Sequence, residues 1–344
     1  MEIQFEQAGN LARIVLDRPK ALNALTLAQI HAMAPKLEEW AADPAVTVVV
    51  IEGAGPRAFC AGGDIRALHE AGKAEDMPFI AAFYRDEYRL NRRIKTMPKP
   101  YVALIDGIVM GGGVGVSVHG SARVATERTL FAMPETGIGF FPDVGGSSFL
   151  PRLPGAVGMY LGLTGARLGA ADTLAVGVAT HYVESGRLEA LKESLSEARD
   201  AAEVAAVLAG FHQTPGPAPI AAALPLIERC FSAPTLAAVI AALEAEDDPF
   251  AAETLAGLRA KSPTLLLLTF EMIRRGAGLA FDDCMRMEFR LSQVMAPCHD
   301  FIEGIRAVIV DKDNRPAWQP ARIEDVVEWM TPFDTVPAGG DLSF

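Results

Sequence analysis

The spacing of apolar and polar residues changes several times along the chain. Glu2 to Phe5 and Leu11 to Leu16 read as two strands around a turn at Gly9-Asn10, and Asp17-Arg18-Pro19 breaks the pattern that follows. Thr26-Leu27-Ala28-Gln29 has the form of a capping box, which predicts a helix from there to about Ala41. Val46 to Ile51 is almost wholly β-branched and apolar, the mark of a parallel strand covered on both faces. Ala61-Gly62-Gly63-Asp64 predicts a tight turn leading into a helical turn, and Asp76 to Lys95 a long helix bearing Glu87. Tyr101 to Ile105 reads as another buried strand. It is followed by Gly111-Gly112-Gly113 and a helix start over Val114 to His119. Short strands are expected at Arg123 to Ala125 and Leu130 to Ala132, and mostly helix from about Gly145.

Strand, helix, strand, glycine turn and helix in succession is the α/β signature. Gly210 to Pro219 is a breaker segment, which suggests a division into a core at 1–209 and a mostly helical C-terminal region at 210–344. Helices are expected there at Thr235 to Ala245, Glu253 to Ala260, Thr264 to Arg275 and Phe281 to Ala296.

Composition narrows the function classes. The 344 residues are half hydrophobic, which supports a substantial core, and the net charge of −12 argues against nucleic-acid or anionic-membrane partners. An anionic small molecule is still allowed, since it needs only a local basic patch. Cys60, Cys230, Cys284 and Cys298 form no CxxC pair, which suits reduced thiols in a cytoplasmic protein better than disulfides or zinc. The opening MEIQFEQ has no basic start and apolar run, so no signal peptide is expected, and no apolar stretch is long enough for a membrane span. No spaced His/Cys/Asp/Glu cluster suggests a metal, and no Gly-x-Ser-x-Gly elbow supports a serine hydrolase.

Candidate chemistry concentrates between Lys99 and Gly146. A strand running into glycines and a helix start presents bare backbone N–H groups to a ligand. Glu135 and Asp143 each follow a proline, eight residues apart. By itself Glu135 also reads as a helix-start or surface glutamate, and Asp143 as an N-cap before Val144-Gly145-Gly146. The glycines alone also read as turns. No GxGxxG runs through Gly111 to Gly120, so a dinucleotide site has little support.

Several motifs fall in order: AFCAGGDIRAL (Ala58 to Leu68), RDEYRLN (Arg85 to Asn91), GIVMGGGVGVSVHG (Gly107 to Gly120) and FAMPETGIGFFPDVGGSSFLPRLPG (Phe131 to Gly155). KSPTLLLLTFEMIRRG, MEFRLSQ and FIEGIRAVIVDKDNRPAW continue the series over nearly the whole chain. With these the chain resembles the crotonase (enoyl-CoA hydratase/isomerase) superfamily, and within it the 3-hydroxyisobutyryl-CoA hydrolase branch. The resemblance implies a crotonase-like α/β fold with a twisted-sheet core and a helical C-terminal region. It also implies thioester hydrolysis, as a step in valine breakdown, with coenzyme A as part of the substrate and no further cofactor.

The resemblance assigns roles residue by residue. Gly63 and Gly112 fall at the family's two oxyanion-hole positions. Two N–H donors there would stabilise the charge that develops on a thioester oxygen, and losing one typically costs about 3 kcal/mol. Glu135 falls at a catalytic carboxylate and Asp143 at a second, the two facing the thioester. Glu87 falls at a substrate-contacting glutamate, where an acyl hydroxyl is a natural partner; otherwise it is a solvated glutamate beside an arginine. The family's hydratases carry a second glutamate three residues beyond the oxyanion glycine and tend to have glycine at the place of Asp143. Here Gly115 stands at the first of these positions, which disfavours the alternative of an enoyl-CoA hydratase or isomerase. Lys20 and Arg57 are the better candidates for coenzyme A phosphates, ahead of Arg18 and Lys99. His119 and His181 read as packed histidines, and Asp311-Lys312-Asp313 as a turn. Family members with the basic core commonly form trimers or trimer pairs. A homo-oligomer therefore stays open, although the longer C-terminal region can cover the trimerising surface.

Overall fold

The computed structural model describes residues 2–326 and 331–344. Within the described chain the strands are β1 (Ile3–Ala8), β2 (Leu11–Leu16), β3 (Val48–Gly53), β4 (Ala58–Cys60), β5 (Tyr101–Ile105), β6 (Ile108–Met110), β7 (Ala122–Ala125), β8 (Leu130–Ala132), β9 (Leu168–Gly169) and β10 (His181–Tyr182). They form a six-stranded sheet of order β1-β2-β3-β5-β7-β10 and a four-stranded sheet of order β4-β6-β8-β9. Only β1 against β2 and β8 against β9 are antiparallel; the other neighbours run parallel. The chain is thus an α/β protein with a parallel-rich sheet, as its alternation of elements predicts.

Two compact units are distinguishable. One comprises 1–63, 89–132 and 167–221; the other comprises 64–88, 133–166 and 222–344. All the strands belong to the first unit. Its core is built as a parallel sheet requires: Val48 and Val50, Val102 and Leu104, and Ala122 and Val124 bury one face. Leu188, Leu191 and Leu195 of the helix Leu188–Glu197 and Val204 and Leu208 of the helix Ala201–Phe211 cover it. Val49 and Ile51 are equally buried on the opposite face, which is why Val48 to Ile51 reads as an unbroken apolar run.

The capping box at Thr26 closes both of its bonds, and the helix it opens runs Leu27–Ala42. Two expected elements start earlier in the chain. In place of a helix start over Val114 to His119, the helical turn is Gly112–Gly115, entered from Gly111 at φ 48° and followed by further turns. The helix expected at Glu253 to Ala260 is Pro249–Arg259, because Asp248 accepts from the Phe250 N–H and Pro249 takes the first helical position.

The second unit is helical. The helix Pro263–Gly276 starts from Ser262, whose side chain accepts from the Leu265 N–H, and it buries Leu265, Leu266, Leu268, Phe270, Met272 and Ile273. The helix Phe281–Met295 buries Cys284, Met285, Glu288, Leu291, Ser292 and Met295, so an acid stands on its apolar stripe. Asp311-Lys312-Asp313 is a turn, with Lys312 at φ 59° and Arg306 bonded to both aspartates. Among the described residues no helix is long and apolar enough to cross a membrane.

Candidate active site

In the second unit, three short segments carry acids out of water. Along the helix Met77–Lys95 the buried stripe runs Ile80, Phe83, Tyr84, Glu87 and Tyr88. Glu135 opens the single turn Glu135–Ile138, which follows Met133-Pro134. Asp143 ends the apolar segment Phe140-Phe141-Pro142 and precedes the helical turn Gly146–Phe149. Aromatic packing stiffens the region: the Tyr84 ring stacks on Phe140 at 5.5 Å and 16°, and Phe140 meets Phe301 at 5.2 Å.

The four acids of this region are almost sealed from solvent, with 2% exposure at Glu87, 5% at Glu135, 6% at Asp143 and 0% at Glu288. The Tyr88 hydroxyl donates to Asp143 Oδ2 at 2.9 Å. Asp143 does not cap the following helical turn; the N-cap is Gly145, and no side chain in the turn's own segment caps it. Glu288 takes that place from a distant helix, accepting from the Gly145 N–H at 2.7 Å, the Ser147 N–H at 2.9 Å and the Ser147 hydroxyl at 2.5 Å. Between Asp143 and Gly145, Val144 sits at φ 52°. That conformation costs a β-branched residue on the order of 1–3 kcal/mol and persists only where its surroundings impose it.

Among the described residues, Glu135 Oε2, Glu87 Oε1 and the Tyr84 hydroxyl have no hydrogen-bond partner. Buried polar atoms left unpaired are uncommon, and a catalytic role is one of the reasons for which they persist. For Glu87 this removes the reading as a solvated surface acid.

Burial sets the electrostatics. It pushes Asp143 up to about 7, against the Tyr88 bond that favours the anion. Burial first, then the charge of Asp143, holds both Glu135 and Glu87 well above the usual carboxylate range. The Lys261 ammonium pulls Glu135 the other way. It lies over the Glu135–Ile138 turn, 3.0 Å from where a Cβ on Gly137 would stand. Burial also pushes Glu288 up to about 8, opposed by its three donors. Like charges in a dry site disfavour one another, so a charge on Asp143 helps to keep Glu135 and Glu87 protonated. The Tyr88 hydroxyl favours the anion of Asp143, whereas a backbone N–H bond and the Lys261 charge favour that of Glu135.

The glycines belong to the first unit. β4 and β6 pair in parallel, Ala58 with Ile108 and Cys60 with Val109, so both strands end at the same edge of their sheet. Gly63 follows β4 by three residues and Gly112 follows β6 by two, which brings the two turns to one end. Among the described residues neither the Gly63 nor the Gly112 N–H donates to a loop or turn carbonyl, and at the first helical position Gly112 has no acceptor within its own turn. Close approach is imposed next door, where a Cβ on Gly113 would stand 2.2 Å from the Cys60 carbonyl oxygen.

Arg57 is exposed and lines a small cleft of ≈ 50 Å³ with Pro19, Leu22 and Asn23; Lys20, also exposed, lies in the same loop as Pro19 and Leu22. Asn23 fixes this loop by donating to the carbonyls of Ala54 at 3.0 Å and Ala58 at 2.8 Å. Arg18 and Lys99 have structural partners: Arg18 pairs with Glu2 at 2.9 Å, and Lys99 donates to the Trp40 carbonyl at 2.8 Å and to that of Asp43. His119 is buried and His181 bonds Thr180 Oγ1 at 2.9 Å, which fits packed histidines.

Tyr88 and Glu288 carry no role in the sequence reading. Both lie within the motifs RDEYRLN and MEFRLSQ. The one local signal was an acid at 288 in step with the apolar positions 284, 291 and 295 of a helix.

A family model described as Enoyl-CoA hydratase/isomerase matches residues 11–332. A curated relative from Danio rerio, named 3-hydroxyisobutyryl-CoA hydrolase, mitochondrial, is 48% identical over 334 residues, which is 95% of this chain and 87% of the relative. A solved structure from Mycobacterium thermoresistibile, described as a carnitinyl-CoA dehydratase, has a TM-score of 0.93 at 41% identity and covers 100% of this chain and 98% of its own. Another, described as an enoyl-CoA hydratase from Rhodobacter sphaeroides, has a TM-score of 0.91 at 39% identity and covers 100% of both chains. The chain belongs to the enoyl-CoA hydratase/isomerase family, the crotonase superfamily, and within it to the branch of the 3-hydroxyisobutyryl-CoA hydrolases.

Proposed function

We propose that the protein hydrolyses an acyl-CoA thioester, 3-hydroxyisobutyryl-CoA, to 3-hydroxyisobutyrate and coenzyme A, as a step in valine breakdown. The observation that carries this reading is the buried pair Glu135 and Asp143, with Asp143 bonded to Tyr88 instead of capping a helix.

The N–H groups of Gly63 and Gly112 hold the thioester oxygen as it becomes negative. The reactive form has Glu135 ionised and Asp143 protonated, with one proton between the two carboxyls. In the covalent route Glu135 attacks the carbonyl carbon, the C–S bond breaks, and Asp143 protonates the departing thiolate. Water then attacks the mixed anhydride, losing a proton to Asp143, and the Glu135 carboxylate leaves. In the direct route Glu135 takes the proton of the attacking water and no anhydride forms. Glu87 receives the acyl hydroxyl, and Lys20 and Arg57 meet the coenzyme A phosphates. No other cofactor takes part. Reduced thiols at Cys60, Cys230, Cys284 and Cys298 fit a reducing compartment, and the cytoplasm is the one proposed.

Thiol release from 3-hydroxyisobutyryl-CoA tests the reading: Glu135→Gln and Asp143→Asn should each lower kcat by roughly 10²–10⁴-fold. Rates near those of the parent would refute it. Single-turnover trapping of an acyl group on Glu135 separates the two routes.

A second reading, hydration of an enoyl-CoA, is favoured by the solved relatives described as a dehydratase and a hydratase. It needs a second acid at the position that Gly115 occupies. Consumption of crotonyl-CoA without thiol release would establish it.

A further inference from the structure

We propose that Glu288 is a positioning residue for the reaction, clamping the turn that carries Asp143; the inference rests on the role given to Asp143 above. Glu288 is wholly buried on the helix Phe281–Met295, where an apolar residue would pack without any desolvation cost. Its carboxyl group spends itself on one short segment. Oε2 accepts from the Gly145 N–H, and Oε1 accepts from both the N–H and the hydroxyl of Ser147.

Those donors stand two and four residues beyond Asp143. Val144 and Gly145, which follow Asp143 directly, both have left-handed backbone, at φ 52° and 88°. A β-branched residue does not hold that conformation unaided. The clamp fixes the amide on the far side of Val144 and so fixes the direction in which the Asp143 carboxyl leaves the chain. From the other side the Tyr88 hydroxyl fixes Asp143 Oδ2. Asp143 is thereby held at both ends: its backbone by Glu288, its side chain by Tyr88. Glu288 has no part in the chemical steps, and its contribution passes entirely through Asp143.

That last statement is what an experiment can read. In Glu288→Gln one acceptor oxygen replaces two, and an amide NH₂ is turned on existing donors. Displacement of a reacting group by about 1 Å can cost on the order of 10²-fold in rate, so kcat for thiol release should fall by about that factor with KM little changed. In an Asp143→Asn background the same change should cost nothing more in kcat, because residues acting as one unit are not additive. Where Glu288→Gln does not fold, Ser147→Ala serves in its place; it removes one donor of three, and its expected loss of about tenfold, the worth of one hydrogen bond, should likewise vanish in the Asp143→Asn background. A kcat loss that persists undiminished in the Asp143→Asn background, or full activity of Glu288→Gln, overturns the proposal. An Asp143→Asn variant as fast as the parent overturns instead the hydrolytic role of Asp143 on which it rests.

Discussion

The Tyr88 hydroxyl donates to Asp143 at 2.9 Å, between two residues that are both shut away from water. Tyr88 is what keeps a buried aspartate acidic enough to exchange a proton near neutral pH. Burial drives Asp143 up to about 7, and the Tyr88 bond opposes that drive. Tyr88→Phe removes a donor to the charged form, so the Asp143 value must rise. A hydrogen bond to a charged group is worth roughly 1.5–3 kcal/mol, or about one to two pH units. The limb of the pH–kcat profile governed by Asp143 should move to the alkaline side by about that amount. A limb that stays in place, or moves to lower pH, contradicts the pairing.

The acid cluster also fixes how stability depends on pH. Asp143 and Glu288 hold their protons to about 7 and about 8 in the folded chain, well above their ordinary values of 3.8 and 4.5. Between those limits the folded state binds more protons than the unfolded chain. Stability contributed by the protonated acids is present below the ordinary values and is lost as pH rises through the raised ones. Asp143→Asn, which needs no proton, should therefore gain in stability relative to the parent from pH 5 to pH 8. The gain is a few kcal/mol at most, since one unit is worth ~1.4 kcal/mol. Thermal melts of the two proteins across that range check this. A difference that shrinks with rising pH would contradict it.

Gly113→Ala tests the glycine turn without touching any acid. The added Cβ would stand 2.2 Å from the Cys60 carbonyl oxygen, a backbone atom at the end of β4. β4 and β6 must then shift apart, at a cost of about 1–3 kcal/mol or more. The melting temperature and the rate of thiol release should fall together. An unchanged rate in this variant would separate the two glycine turns from the chemistry.

Much of this fold was legible in the sequence because its signals are local. The capping box at Thr26, the β-branched run Val46 to Ile51 and the breaker at Gly210 to Pro219 each act within a few residues. The helix at Pro249 starts four residues before the expected Glu253, because Asp248-Pro249 is a helix start whose chemistry is equally local. The candidate acids Glu87, Glu135 and Asp143 were found through motif order, and their burial agrees with a site rather than a surface. Sequence could not reveal what holds Asp143. Tyr88 lies 55 positions from it, and Glu288 reaches Gly145 across 143 positions. Such partners are set by tertiary packing, and a buried glutamate in step with an apolar stripe was their sole trace in the chain.

The most direct measurement follows thiol release from (S)-3-hydroxyisobutyryl-CoA, with crotonyl-CoA and acetyl-CoA alongside, for the parent, Glu135→Gln and Asp143→Asn. Rapid release from the hydroxyacyl thioester alone, lost in both variants, is the result expected of a hydrolase that works through these two carboxyls. Hydration of crotonyl-CoA without thiol release from any thioester would contradict it, and would show that Gly115 does not exclude the hydratase reaction.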